Sequence, residues 1–371
     1  MTIKVCHVTS AHTRYDVRIF EKECSSLAKK GYDVYLVVND DKEDEKKNGV
    51  HIVSTKFLPR NRKERIIDSM SNIVAKAKSI DADIYHFHDP ELMRIFSKFE
   101  NGKCKLIFDA HEDTQMQIMD KEWIPLFFRK IVSSAFALYQ RKKLKKCEAV
   151  ITVTPKIAQK LKEHNNNVHI VTNYPILSPM HSRQDTTTEN KYIFFAGGIT
   201  TDWCHESIIQ AINKLDGIRY KLAGRADEKY LTTLKQTEGW NKVDYLGKIE
   251  HSEVEKIYVE AIAGMAVNEC TQIKGEGTLG NTKLFEVMAA SIPVICTNYK
   301  LWKEIVEINN CGICVESNNS TQIFNAIKYI ADNPDTAKQM GENGRKAVEN
   351  IYNWATQEKE LFNLYDNIIN R

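Results

Sequence analysis

Short apolar, β-favouring runs alternate with helix-patterned segments from one end of this 371-residue chain to the other. In the first half they occupy residues 3–9, 33–38, 51–54, 83–87, 105–109, 149–153 and 168–171. In the second half they occupy 191–196, 218–223, 242–246, 264–267, 293–297 and 312–315. Runs such as Ile151-Thr152-Val153 and Ile193-Phe194-Phe195-Ala196 are apolar at successive positions, so both of their faces must be buried. Strands of that kind belong to parallel sheets covered by helices on both sides. Strand–helix–strand alternation builds βαβ units, which predicts an α/β fold of doubly wound parallel sheets.

Residues 176–190 interrupt the pattern with a polar stretch that follows Pro175 and holds Pro179, and a strand run follows at once. A linker there divides the chain into two Rossmann-like domains of similar size, expected to face each other across a cleft. The expected division is 1–178, 179–352, and a C-terminal helix, 353–371, packing back towards the first domain. Charge divides with it: residues 1–186 hold 32 Lys+Arg against 24 Asp+Glu, and residues 187–371 hold 20 against 25. The halves carry +8 and −5, which sum to the chain's +3, and this asymmetry suggests different partners for each.

Composition excludes several classes. With 42% hydrophobic and 27% charged residues the chain is neither disordered nor coiled-coil. No apolar run approaches the ~20 residues that span a bilayer, and the N-terminus lacks the apolar core of a signal peptide. A cytoplasmic chain is expected. The nine cysteines are scattered, mostly in apolar segments, as reduced thiols packed like small hydrophobes.

One segment carries most of the chemistry. Residues 275–286 read Gly-Glu-Gly-Thr-Leu-Gly-Asn-Thr-Lys-Leu-Phe-Glu, and a buried strand follows. A glycine-rich loop leads into a helix that Asn281 or Thr282 can cap. Lys283 sits in the first turn, where a purely structural helix favours an acid and a phosphate favours a base. Glu286 lies one turn further in, and helical side chains tilt towards the N-terminus, so its carboxylate can reach the loop and accept two hydrogen bonds from a ribose diol.

The segment resembles the donor-site signature of the GT-B glycosyltransferases of family 4 (group 1), retaining enzymes that use nucleotide sugars. The resemblance extends through His7-Val-Thr-Ser10 with Asp16-x-Arg18, His86-Phe-His-Asp-Pro-Glu-Leu92, Asp109-Ala-His-Glu-Asp113, Thr172-Asn-Tyr-Pro175, Phe195-Ala-Gly-Gly-Ile199 and Gly247-Lys-Ile-Glu-His251. Their order and spacing are similar to the capsule and lipid-linked polysaccharide members.

The resemblance implies roles residue by residue. Glu286 matches the second Glu of the family's E-x7-E motif, which holds the ribose. The first Glu, which contacts the donor hexose, is replaced by Thr278, with Glu276 close enough to substitute. Gly198, Gly280, Asn281, Thr282 and Leu284 match the remaining donor loop, and Ile249 matches the position beside the nucleobase. No Arg or Lys follows the Gly197-Gly198 turn in 197–205, which leaves Arg225 and Lys283 to stabilise the departing diphosphate. His111, at the C-terminal end of a strand, matches the histidine that contacts the donor sugar, and Glu112 is its neighbour.

Asp16, Arg18, His86, His88, Asp89, Glu91 and Glu112 are expected on the acceptor side. His86 and His88 share one strand face, and a metal reading of that pair is set aside because no closing ligand follows at a useful spacing. No metal or other cofactor is expected. Two basic stretches remain: Arg60-Asn-Arg-Lys-Glu-Arg65, and the span from Trp123 to Lys146, which mixes aromatics with basic residues. The second reads as an interfacial helix on anionic lipid, with a solvated helix face as the plainer alternative; no nucleic-acid motif accompanies it.

The expected activity is retaining transfer of a hexose or N-acetylhexosamine, from a UDP-linked donor, to a glycan or undecaprenyl-diphosphate-linked acceptor in surface polysaccharide synthesis. Peripheral contact with the inner face of the cytoplasmic membrane is expected with it. A GT-B nucleotide-sugar 2-epimerase and a non-catalytic transferase-like subunit are the alternatives.

Overall fold

The computed structural model describes residues 2–100, 102–111, 113–121, 124–177, 191–269 and 276–370. The chain divides into two compact units, 1–173 with 354–371, and 174–353.

The first unit is built on an eight-stranded sheet. Its strands are β1 (Lys4–Val8), β2 (Asp33–Val38), β3 (Glu45–Lys47), β4 (Val50–Ser54), β5 (Ile84–Phe87), β6 (Lys105–Ala110), β7 (Ala149–Thr152) and β8 (Val168–Ile170), in the order β3-β4-β2-β1-β5-β6-β7-β8. All neighbours are parallel except β3 and β4. β3 is a short charged edge strand with no apolar run to announce it; such an edge resists further strand addition.

The second unit holds six parallel strands: β9 (Lys191–Ala196), β10 (Ile218–Ala223), β11 (Val243–Gly247), β12 (Ala263–Ala266), β13 (Val294–Thr297) and β14 (Gly312–Val315). Their order is β11-β10-β9-β12-β13-β14. Every apolar run named from the sequence forms one of these strands.

Both sheets reverse winding direction beside their first strand, between β1 and β5 and between β9 and β12. Loops diverge at such a switch point and leave room for ligand at the carboxyl ends of the strands. Sheet and helices close a separate apolar core on each sheet face, two per unit.

The helix after β1 starts with two wide turns over Val17–Cys24 and continues regularly over Ser25–Lys30. Asp16 caps it, accepting from Arg18 N and Ile19 N at 2.9 Å each. The last helix, Trp354–Ile369, packs on the first unit: Trp354 Nε1 donates to Ser26 Oγ at 2.9 Å, and Leu361, Leu364, Tyr365 and Ile368 are fully buried. The eight described cysteines are all free thiols; Cys270 lies outside the described residues.

Candidate functional site

In the second unit three loops are laced together at the carboxyl edge of the sheet. Gly197 N donates to Ala223 O (3.0 Å), Ile199 N to Arg225 O (3.0 Å) and Gly224 N to Gly247 O (2.7 Å). The packing is close enough to require glycine. Gly224 has φ +141°, and a Cβ there would lie 1.7 Å from Gly197 O. This lacing brings Gly198, Arg225 and the segment around Ile249 to one edge. Gly198 faces open space, Arg225 is exposed, and Ile249 packs half-buried against the core.

The loop 276–282 is anchored from behind. Leu301 N donates to Glu276 O (3.0 Å) and Trp302 Nε1 to Thr278 O (2.8 Å). Thr278 Oγ1 accepts from Gly280 N at 3.0 Å, so the hydroxyl that replaces the family's first Glu is turned into its own loop. Glu276 is exposed. Asn281 Oδ1 accepts from Lys283 N at 3.1 Å, just before the helix Lys283–Ala289, whose N-cap residue Thr282 makes no side-chain cap bond. Thr282 instead donates its hydroxyl to Glu286 Oε1 at 2.7 Å, and Lys283 Nζ donates to Glu286 Oε2 at 2.6 Å. The Lys283 stem crosses the glycine turn, where a Cβ on Gly197 would meet its Cε at 3.0 Å. The cation is thereby brought to the turn that lacks a basic residue of its own. Leu284 needs correcting: its side chain is fully buried in the core, as its apolar character demands, so only its backbone can face a donor.

In the first unit the expected acceptor-side residues divide by burial. Arg18, His86, His88 and Asp89 are sealed, and this corrects their expected contact with acceptor. A buried charge must be paired, and Arg18 donates through Nε and Nη2 to both oxygens of Asp109 (2.8 and 3.0 Å) and through Nη1 to Val171 O (3.0 Å). Burial raises the Asp109 carboxyl, but Arg18 outweighs it, and the group titrates well below the usual range. Asp89 secures the turn after β1, accepting from Thr9 Oγ1 (2.8 Å) and Ser10 N (2.6 Å). Glu91 pairs with Arg65 at 3.0 Å. Asp16 is partly exposed; burial raises its carboxyl, but His12 and the Ile19 N–H hold it down to about 2. Glu112 lies outside the described residues.

Two groupings offer metal-ligand atoms close together: His7, Glu23, His86 and His88, and His88, Asp109 and His111, each within 4.8 Å. The first is a sealed polar cluster, partly hydrogen-bonded, that the sequence did not reveal. His7 Nδ1 lies 2.9 Å from His88 Nε2, and His86 Nδ1 lies 2.9 Å from the Tyr365 hydroxyl, delivered by the last helix. Glu23 lies 3.2 Å from Arg18. Arg18, Asp109 and an ionised Glu23 sum to −1, so one proton neutralises the sealed group, whereas a divalent ion would leave it at +1. Burial favours the same outcome, raising Glu23 and lowering His7 and His86. Both Glu23 carboxylate oxygens and His86 Nε2 are sealed in this grouping with no hydrogen-bond partner, so the His7–His88 and His86–Tyr365 contacts satisfy it only in part.

His111 is 15% exposed, and its Nδ1 lies 3.5 Å from Asp109 Oδ2. At that distance Nδ1 makes no hydrogen bond to the carboxylate, and the contact is electrostatic. His12, which the sequence reading passed over, packs edge-on against His111 with ring centroids 5.2 Å apart. Its nitrogens lie 3.2 Å from Asp16 and 3.5 Å from Asp89. Its only sequence signal is a polar residue three positions beyond Thr9 in the first strand-to-helix turn.

The comparisons follow this geometry. Residues 17–174 match the family model for Glycosyltransferase Family 4, and residues 180–347 match that for Glycosyl transferases group 1. No curated protein sequence matches significantly. Sucrose-phosphate synthase from Thermosynechococcus elongatus is similar in structure with a TM-score of 0.79 at 14% identity, over 99% of each chain. HepE from Anabaena, solved with UDP and glucose, gives 0.73 at 10% identity, over 98% of this chain and 100% of its own. WaaG, a glycosyltransferase involved in lipopolysaccharide biosynthesis, gives 0.70 at 13% identity, over 96% and 98%. Two parallel-sheet units, a glycine turn crossed by Lys283, and two family models that together span most of the chain lead to one conclusion: this protein belongs to the GT-B glycosyltransferases of family 4 and group 1.

Proposed function

We propose that this enzyme is a retaining transferase that takes a hexose or N-acetylhexosamine from a UDP-linked donor. The observation that carries the reading is the Lys283–Glu286 pair lying across the Gly197-Gly198 turn. On donor binding the pair separates: Glu286 accepts from the ribose diol, and Lys283 turns to the diphosphate with Arg225. Thr282, released from Glu286, and Gly280 and Asn281 complete the donor loop, with Ile249 near the base. Glu276 or the Thr278 backbone meets the hexose. His111 offers Nε2 to a sugar hydroxyl.

The acceptor oxygen attacks C1 on the leaving-group side. The new C1–O bond forms as the bond to the diphosphate breaks, and the acceptor proton passes to a diphosphate oxygen. The positive charges of Lys283 and Arg225 stabilise the negative charge that develops on that oxygen, so no metal is required. The chemistry of the helix Leu126–Leu144 supports a glycan or lipid-linked acceptor at an anionic membrane. Leu126, Phe127, Ile131 and Leu138 are 76, 72, 62 and 69% exposed, beside Arg129, Lys130 and the basic run 141–146. That face suits the headgroup boundary of anionic lipid. Trp123 lies outside the described residues, and no described helix is long and apolar enough to cross a membrane.

Thermal unfolding with UDP, GDP, CDP and ADP tests the donor site. A ligand at ~100 times its Kd adds about 2.7 kcal/mol. UDP should raise the Tm of the wild type and leave that of Glu286→Ala unmoved. A shift with none of the four nucleotides would overturn the reading.

A further inference from the structure

His7, Glu23, His86 and His88 meet inside the first unit, where all four are buried. One donor atom of each lies within 4.8 Å of those of the other three. His7 stands on β1 and His86 on β5, His88 follows β5 directly, and Glu23 comes from the wide turns of the first helix. The pair His86-x-His88 has no closing ligand near it in the sequence. The fold supplies two, from the first strand and the first helix.

The polar atoms gathered there are not satisfied by one another. Glu23 Oε1 and Oε2 and His86 Nε2 have no hydrogen-bond partner, and a sealed polar group calls for one. The spacing suits a metal ion. Nitrogen and oxygen ligands stand about 2.0–2.1 Å from Zn2+, so in a tetrahedral site they lie roughly 3.3 Å from one another. His7 Nδ1 is 2.9 Å from His88 Nε2 and 4.0 Å from Glu23 Oε2. His86 offers Nδ1, 3.9 Å from Glu23 Oε2, and the unpartnered Nε2. The surroundings fit as well, because a ligand histidine hands its second ring nitrogen to an outer oxygen that fixes the ring. His88 Nδ1 lies 3.3 Å from Asp109 Oδ2, and His7 Nε2 lies 3.4 Å from the Tyr365 hydroxyl.

Charge permits the ion once the next residues are counted. A divalent ion with Arg18, Glu23 and Asp109 leaves +1. Asp89 acts on His88 and Asp16 on Glu23, and His12 lies 3.2 Å from Asp16 and 3.5 Å from Asp89. With His12 charged these three carry −1, and the whole assembly sums to zero. With a proton on Glu23 in place of the ion it sums to −1.

We propose that His7, Glu23, His86 and His88 bind a divalent transition ion, and that Zn2+, which takes imidazole and carboxylate together, is the ion that suits them. The ion is structural. It displaces the Glu23 proton to solvent and ties β1, β5 and the first helix together behind Asp109, next to His111. A sealed site of this kind fills as the chain folds. The assignment does not rest on the donor reading, whose chemistry needs no metal.

Metal analysis of the full chain tests it. The untagged protein is produced in minimal medium supplemented with Zn2+ or with Co2+ and dialysed into metal-free buffer, and bound metal is counted by plasma mass spectrometry. The expected result is one ion per chain in the wild type, and occupancy lowered roughly tenfold or more in Glu23→Gln and His86→Gln. Bound Co2+ should show the strong visible absorption of a tetrahedral site and no thiolate charge-transfer band. If neither variant folds, this wild-type spectrum decides alone. Metal-free wild type, full occupancy in the folded variants, the weak absorption of an octahedral site or a thiolate band would each overturn the proposal. An ion retained while no nucleotide shifts the Tm would refute the donor reading and leave the metal site standing.

Discussion

Lys283 Nζ lies 2.6 Å from Glu286 Oε2, so the cation and the carboxylate suited to the two ends of a nucleotide hold each other. The pair is separated by less than one helical turn and is only partly exposed, at 19 and 28%. Each partner orients the other, and in the proposed donor site a ligand with a diol and a diphosphate would replace that contact at both ends.

Lys283→Ala should therefore separate the two halves of donor recognition. UDP binding should weaken roughly 10- to 100-fold, the worth of a charge-assisted hydrogen bond of about 1.5–3 kcal/mol. Uridine, which lacks the diphosphate, should bind no more weakly than to the wild type, because Glu286 no longer has to leave a lysine. Titration calorimetry with the two ligands checks this, and an equal loss for both would refute it.

Removing Arg18 should damage the fold rather than the acceptor contact. Its guanidinium joins Asp109, Glu23 and Val171 O in a sealed site. Arg18→Ala strands buried carboxylates, and breaking such a pair costs about 3–5 kcal/mol. Urea unfolding should show a fall of that order; wild-type stability with a raised acceptor KM would mean that Arg18 acts at the surface after all.

Gly224→Ala should fail for steric reasons. The left-handed φ and the 1.7 Å approach to Gly197 O force the donor loops apart. Backbone strain plus overpacking costs roughly 3 kcal/mol or more. The Tm should fall and the UDP shift should vanish. Normal nucleotide binding by this variant would show that the three loops need no close lacing.

His12 gives a pH signature. Burial lowers its imidazole, but Asp16 and Asp89 outweigh this and raise it above the ordinary 6.5. A group raised on folding contributes stability that is fully present below its unfolded value of about 6.5 and is lost as pH rises through the folded value. The Tm difference between wild type and His12→Ala should thus be larger at pH 6 than at pH 9. A difference that stays flat, or grows with pH, would rule out the charged imidazole.

The exposed helix Leu126–Leu144 should bind vesicles containing phosphatidylglycerol. Phe127→Ser/Ile131→Ser should lose co-sedimentation with them and keep the UDP shift, since neither residue belongs to a core cluster. Undiminished co-sedimentation would send the contact elsewhere.

Most strands were legible as short apolar runs bounded by turn residues, because a strand buried on both faces must be apolar along its length. β3 escaped because an edge strand of Glu45, Lys46 and Lys47 has no such pattern. The meeting of Thr282, Lys283 and Glu286 was legible as well, since residues within one helical turn can meet whatever the rest of the chain does. Thr282 shows where that reasoning ends: it stands at the N-cap, as the sequence allowed, but its hydroxyl is bound to Glu286 rather than to the helix's first N–H groups.

The acceptor side was the reverse case. Strand periodicity put His86 and His88 on one face, but it did not say what covers that face. Tyr365, nearly 280 residues away, and Glu23 cover it, and a histidine sealed with them becomes part of the core. Local patterns in the sequence determined the parallel strands, their alternation with helices and the cluster of Thr282, Lys283 and Glu286, because each depends on residues a few positions apart. The tertiary structure alone decided which polar residues face solvent and which hold the core, because burial is set by segments that the sequence keeps far apart.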